Sequence, residues 1–174
     1  MARVGGKLRK TLSCALFSGI IAVCAQITLP LPLGVVFTLQ TLAVGLCGFY
    51  LGSIKGTLSV VVYILLGICG IPVFSAFGGG IGVLFSQRGG FILGFIPLAA
   101  LTGLASSRGR AAGVVLSLTG LLICHTAGVL QLAFVSGMGI RAAFLTGSLP
   151  YLLKDVLSLY FAERVAKRIK AVDL

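Results

Sequence analysis

Apolar residues run along this chain in long blocks, separated by short basic turns or by glycine- and proline-rich segments. The blocks cover about 12–25, 41–53, 57–71, 91–105, 112–135 and 144–166. None shows the strict alternation of a half-buried strand, and each is far more apolar than one face of a soluble helix requires. They read as helices that cross a membrane. Several are shorter than the ~20 residues a span normally needs, so their ends must borrow from the connecting loops. The expected architecture is all-α, with six spans in one membrane domain covering 1–174.

Composition supports the same solvent. Hydrophobic residues make up 58% of the chain and charged residues 10%, against about 25% in soluble domains. Of the fourteen Lys and Arg residues, all but Arg88, Arg141 and Lys154 lie in the two termini or in the turns at Lys55 and Arg108–Arg110. An even number of spans puts those positions on one face, and their basic bias makes that face cytoplasmic. The net charge of +11 therefore reports orientation in a bilayer and gives no reason to expect a nucleic acid partner. The basic start followed by an apolar run imitates a signal peptide, but no small-x-small site ends that run. It is read as a retained first helix.

Two uncharged or nearly uncharged connections fall on the external face. The first, 26–40, contains Pro30 and Pro32, which lack helix donors and favour extended backbone. Gln26, Thr38 and Gln40 give it amide and hydroxyl groups. It is either an apolar interfacial connector or a cover over a hydrophobic cavity. The second, 72–90, is rich in glycine and carries Phe74, Phe77 and Phe85, with Gly79 inside its glycine run. Glycine lets backbone approach a ligand closely, and rings supply flat apolar walls. Arg88 is its one charge, serving either as a headgroup anchor or as the partner of an anionic ligand group. No phosphate-binding glycine motif is present.

Asp155 lies inside or at the top of the last apolar block, where an Asp costs about 2.5–3.5 kcal/mol to insert. A functional role for it is favoured. Lys154 is its neighbour, but adjacent helical residues point about 100° apart, which disfavours a closed pair. Tyr151 lies one turn earlier on the same face. His125, in the fifth span, has no ligand-spaced acid or histidine and is read as a helix–helix hydrogen bonder. The five cysteines sit in or beside apolar blocks without a C-x-x-C pair and are expected to be buried thiols. No metal site, cofactor or catalytic group is expected. A membrane protease would need serine and histidine in register, and the surroundings of His125 and Ser148 lack that pattern.

These residues resemble the BioY family, biotin-binding S components of energy-coupling factor (ECF) transporters. The likeness rests on Ala15-Leu-Phe, Ala25-Gln-Ile-x-Leu-Pro-Leu-Pro, Phe37-Thr-Leu-Gln-Thr-Leu-Ala-Val44, Gly70-Ile-Pro-Val-Phe74, Gly89-Gly-Phe-x-x-Gly-Phe95 and Leu149-Pro-Tyr…Asp155. It covers nearly the whole chain. The resemblance implies a six-helix S-component fold with biotin held near the external face, with Asp155 matching the family's ligand-holding aspartate. It also implies an ECF coupling membrane subunit and two ABC-type ATPases as partners. Leu153 and Lys154 replace the Pro and Gly of the family's Pro-Gly-Asp-x-x-Lys motif, and Ser158 stands in place of its lysine. Arg88 or Lys154 then remains to meet the ligand carboxylate. The alternative is an S component, or a stand-alone facilitator, for another small vitamin.

Ala15, Ser18, Gly19, Ala22 and Ala25 fall along one side of the first helix. Such a stripe of small residues packs either on another helix of the chain or on a partner. The resemblance implies that Ala15, Ser18, Gly19 and Ala22 dock the coupling subunit.

Overall fold

The computed structural model describes the backbone of residues 2–29 and 37–172, and side chains from 11–28 and 38–172. Residues 30–36 of the 26–40 connection, with Pro30 and Pro32, lie outside the described residues. Seven helices account for most of the described residues: α1 (Ala2–Gln26), α2 (Gln40–Leu51), α3 (Ser53–Ile68), α4 (Gly89–Ala105), α5 (Arg110–Ser136), α6 (Ile140–Gly147) and α7 (Leu149–Val172). A two-residue antiparallel pair, β1 (Thr28–Leu29) with β2 (Phe37–Thr38), ties the end of α1 to the start of α2. The block read as the last span, 144–166, starts inside α6 and is broken at Ser148. Pro150 explains part of the break, because the start of a helix tolerates a residue without an N–H.

Among the described residues, only α5 is long and apolar enough by itself to cross a membrane. The 12 residues of α2 rise only about 18 Å against a hydrocarbon core of about 30 Å. Irregular backbone at that depth must be buried in protein or line a cavity. The sequence supplies both, through β1, β2 and the ordered segment 72–88. That segment folds as two 3-10 turns, Ser75–Phe77 and Ile81–Phe85. It is fastened to α3 by the Gly80 N–H, which donates to the Gly67 carbonyl at 2.7 Å.

Lipid tails are as apolar as leucine, so helices in a membrane associate mainly through close packing. This chain achieves it with glycine. α4 and α5 form the most extensive helix pair. A Cβ placed on Gly94 would sit 2.7 Å from the Cys124 Cα, and one on Gly128 would fall 2.3 Å from the Phe91 ring. A connected core of Ile21, Val44, Tyr63, Phe74, Phe95, Leu98 and Cys124 joins α1 to α5.

The stripe on α1 splits. Ser18 is buried, and its hydroxyl donates to Cys14 O at 2.9 Å or Ser59 O at 2.8 Å. Ala25 is buried as well, whereas Ala15 and Gly19 are exposed and Ala22 is half-buried. Ser18 therefore packs within the chain against α3, and the outward face is narrower than the sequence pattern implies. The reason is geometric: positions three and four apart diverge to either side of the helix's contact line. The thiols depart from expectation at two positions, since Cys69, just after α3, is exposed and Cys24 is half-buried.

Gly94→Ala should destabilise the bundle by about 1–3 kcal/mol, because the added methyl meets α5 backbone. The check is the melting temperature of the detergent-solubilised protein. Gly19→Ala, with nothing within 4 Å of its Cβ, serves as the contrasting change and should leave that temperature unchanged or raise it. Equal behaviour of the two variants would mean that α4 and α5 can part without cost.

Candidate functional site

The N-terminal ends of α2, α4 and α7 converge on one cavity. It is lined by Thr38, Gln40, Thr41, Ser75, Arg88, Phe91, Ile92, Phe95, Cys124, His125, Gly147, Tyr151, Lys154 and Asp155. Each helix N-terminus carries unsatisfied N–H groups and the positive end of its dipole, so the convergence favours negative charge. Arg88 and Lys154 add two cations, and Asp155 supplies one buried anion.

Asp155 is 5% exposed. Its Oδ2 lies 3.1 Å from His125 Nε2, and Lys154 Nζ forms an ion pair with Oδ1. The adjacent Lys154 thus does close on Asp155, against the expectation from helical direction. The four-carbon lysine stem bends back along the helix, and the absence of bulk water makes a contact with the carboxylate worthwhile. Lys154 Nζ also donates to the Thr38 carbonyl at 2.9 Å, which links α7 to β2. Oδ1 has no partner with hydrogen-bond geometry among the described residues, despite the ion contact. The pair is close in charge but poorly aligned as a hydrogen bond.

His125 connects two helices, as read from the sequence. A carboxylate only accepts, so Nε2 carries a proton and donates to Asp155. Nδ1 lies 2.7 Å from the Ser148 hydroxyl at the break before α7. The order serine–histidine–aspartate is that of a hydrolytic triad with the two ring nitrogens exchanged. Here the serine is fully buried, and the carboxylate end faces the cavity. The arrangement is built to hold a carboxylate still.

Gln40 uses both ends of its amide. Its Nε2 donates to the Tyr63 hydroxyl at 2.8 Å, and its Oε1 accepts from Thr38 Oγ1 at 3.0 Å. Arg88 donates through Nη1 to Ser75 O at 3.0 Å and to Ser75 Oγ at 3.2 Å. Those bonds occupy one of its nitrogens and steer the guanidinium over the cavity. Tyr151 lines the same wall as Asp155.

Three expected site residues lie elsewhere. Gln26 holds the second loop: its Oε1 accepts the Phe77 N–H at 2.9 Å and its Nε2 donates to Phe74 O at 3.1 Å. This steadies a tip where Ala76 and Phe77 both adopt positive φ, an unfavourable region for non-glycine residues. Phe74 is wholly buried, set edge-on against Tyr63 at 5.5 Å, and belongs to the core. Gly79 lies outside the cavity at the outer surface beside Ser75 and Arg88. A Cβ there would come within 2.9 Å of the Gly70 and Ile71 carbonyls, so its glycine serves backbone-to-backbone approach. The expected ring walls also change identity. Phe77 and Phe85 are exposed, and Phe91 and Phe95 line the cavity instead. The repeat Gly90-Phe91…Gly94-Phe95 is the signal that finds them, because each glycine seats α4 on α5 and turns the next residue inward.

The arrangement of these helices has a counterpart among solved membrane proteins. It superposes with a TM-score of 0.87 on a crystal structure of the S-component for biotin from an ECF-type ABC transporter. That match spans 96% of this chain and 93% of the other at 19% identity, which speaks to the fold. The protein belongs to the BioY family, whose model matches residues 2–173, and it is accordingly a membrane protein. It is 36% identical over 169 residues to the biotin transporter BioY of Thermotoga maritima, spanning 96% of this chain and 99% of that one. It is likewise 36% identical to a probable biotin transporter BioY of Pyrococcus horikoshii, over 94% of this chain and 98% of that protein.

The geometry assigns Gln26 to the second loop. Gln26→Ala removes two partners of that loop, each worth about 0.5–1.5 kcal/mol net. Hydrogen exchange at 72–78 should accelerate while α4 and α5 stay protected. Unchanged exchange would mean that the Phe74–Gly78 bridge alone holds the tip.

Proposed function

We propose that this protein binds biotin and serves as the substrate component of an ECF-type transporter. It would deliver the vitamin across the cytoplasmic membrane with a coupling subunit and two ATPases. The observation that carries this is one buried carboxylate flanked by two cations in a cavity at three helix N-termini. Biotin has the complementary parts. Its ureido ring presents two N–H donors and a carbonyl, its sulfur ring is apolar, and its chain ends in a carboxylate.

Asp155 Oδ1 accepts a ureido N–H, and Phe91, Phe95 and Ile92 enclose the bicycle. Arg88 or Lys154 receives the carboxylate. With Ser158 in place of the family's lysine, one of these two cations takes over its task. Gln40 and Thr38 serve as second supports, since their side chains already bond one another and Tyr63. The termini face the cytoplasm and the cavity faces outward, in keeping with the basic bias. The exposed Ala15 and Gly19, with the half-buried Ala22 beside them, form the part of α1 that meets the coupling subunit.

Biotin binding to the purified protein is the primary test, read by calorimetry in detergent. Asp155→Ala should weaken it by about 1.5–3 kcal/mol, the range for a hydrogen bond to a charged group. Arg88→Ala and Lys154→Ala, each assayed with biotin and its methyl ester, identify the carboxylate partner. Only the true partner's variant should lose its preference for the free acid. Wild-type affinity in Asp155→Ala would remove the carboxylate from the ligand contact.

Docking is tested separately. Gly19→Trp should still bind biotin, yet fail to retain the coupling subunit and lose uptake. Loss of biotin binding together with folding would place that face inside the bundle.

A further inference from the structure

We propose that His125, seated by Ser148, is a positioning residue that aims the Asp155 carboxylate at the ligand; this rests on the biotin reading above. An aspartate on a helix can turn about two side-chain bonds, and a ligand-holding carboxylate must not. Oδ2 is held by His125 Nε2 at 3.1 Å. That bond fixes the plane of the group, with Oδ1 buried against the Lys154 ammonium. A carboxylate oxygen has two lone pairs, so Oδ1 can accept a ligand N–H beside its contact with the ammonium.

The ring itself is held at three points. Nε2 meets Asp155, Nδ1 meets Ser148 Oγ at 2.7 Å, and the Phe91 ring stands edge-on at a centroid distance of 5.9 Å. Ser148 is well suited to anchor it. It sits at the break between α6 and α7, and its carbonyl accepts the Tyr151 and Leu152 N–H groups. The hydroxyl is therefore fixed relative to the first turn of α7, the helix that carries Asp155.

Packing alone does not explain a histidine here. α5 and α7 touch only sparsely, and the space between them is an apolar cleft lined by Leu118, Leu122, Val129, Phe144 and Leu152. A leucine at 125 would suit those neighbours and avoid burying two polar nitrogens. What leucine cannot do is donate to Asp155. Without that donor Oδ2 loses its histidine partner, and the carboxylate is free to turn about its contact with Lys154.

The test measures binding of biotin and of its two mono-N-methyl ureido analogues, in detergent, alongside melting temperatures of the unliganded proteins. His125→Leu should weaken biotin roughly 10- to 100-fold, the loss of one hydrogen bond to a charged group. His125→Gln, whose amide can still donate, should recover most of that loss. The analogue whose methyl replaces the N–H directed at Asp155 should bind His125→Leu and wild type alike. In an Asp155→Asn background, His125→Leu should have little further effect.

An equal loss for biotin and both analogues would assign His125 to folding and overturn the proposal. So would unchanged biotin affinity in a folded His125→Leu protein. Should His125→Leu fail to fold, Ser148→Ala decides by the same criterion: a loss confined to biotin and one analogue supports positioning, and a uniform or absent loss overturns it. A wild-type protein that binds no biotin would instead overturn the functional reading, and this proposal with it.

Discussion

A single negative charge buried in a membrane helix sets most of the constraints on this molecule. Inserting an aspartate near a helix centre costs about 2.5–3.5 kcal/mol, and the cost falls only if other groups surround the carboxylate. Asp155 draws them from two helices, His125 from α5 and Lys154 from its own, and Lys154 in turn donates to the Thr38 carbonyl of β2. Each contact is also a tether. The pairing fastens α7 to the bundle on the side where α5 and α7 otherwise barely meet, and it brings the end of the first external connection down onto α7.

The second constraint is depth. A cavity that excludes water strengthens every polar contact inside it, but in a bilayer the walls must come from short helices and irregular backbone that is itself satisfied. The chain meets this with amide side chains. Gln26 pairs with backbone groups of the second loop, and Gln131 donates from α5 to the carbonyls of Leu84 and Ser86 at 2.6 and 2.7 Å. These side chains stand where a ladder or helix would ordinarily satisfy the backbone. A loop held this way can open by breaking a few bonds.

Much of the site was legible because an intramembrane charge and uncharged polar loop residues are conspicuous against an apolar background. Asp155, Tyr151, Lys154, Arg88, Thr38 and Gln40 stand out on that ground, and all of them line the cavity. The misplacements have one origin. Gln26, Phe74 and Gly79 have the right chemistry for a ligand, but the same chemistry serves a loop that must satisfy its own backbone. Composition does not separate the two uses. His125 and Asp155 are 30 residues apart, so no local spacing could announce their pair. The break at Ser148 falls where Thr146-Gly147-Ser148 and Pro150 interrupt the apolar block, a signal that places the start of the last span at either Phe144 or Pro150 without deciding between them.

The charge balance of the cavity bears on what it holds. Asp155 offsets only one of the two cations, and three helix N-termini add further positive potential. Lys154 is already engaged with both Asp155 and the Thr38 carbonyl, so drawing it away would strip Asp155 of a counter-charge in a dry site. Arg88 is placed differently. Its guanidinium donates to Ser75 through one nitrogen, and a guanidinium has five N–H donors in a planar fork suited to a carboxylate. Lys154 thus balances the resident carboxylate, and Arg88 is the cation whose excess charge an incoming carboxylate would neutralise. On the biotin reading proposed above, the arginine in Ser86-Gln-Arg-Gly-Gly90 would take the place of the lysine that the family resemblance expects at Ser158, and Lys154 would serve to steady Asp155.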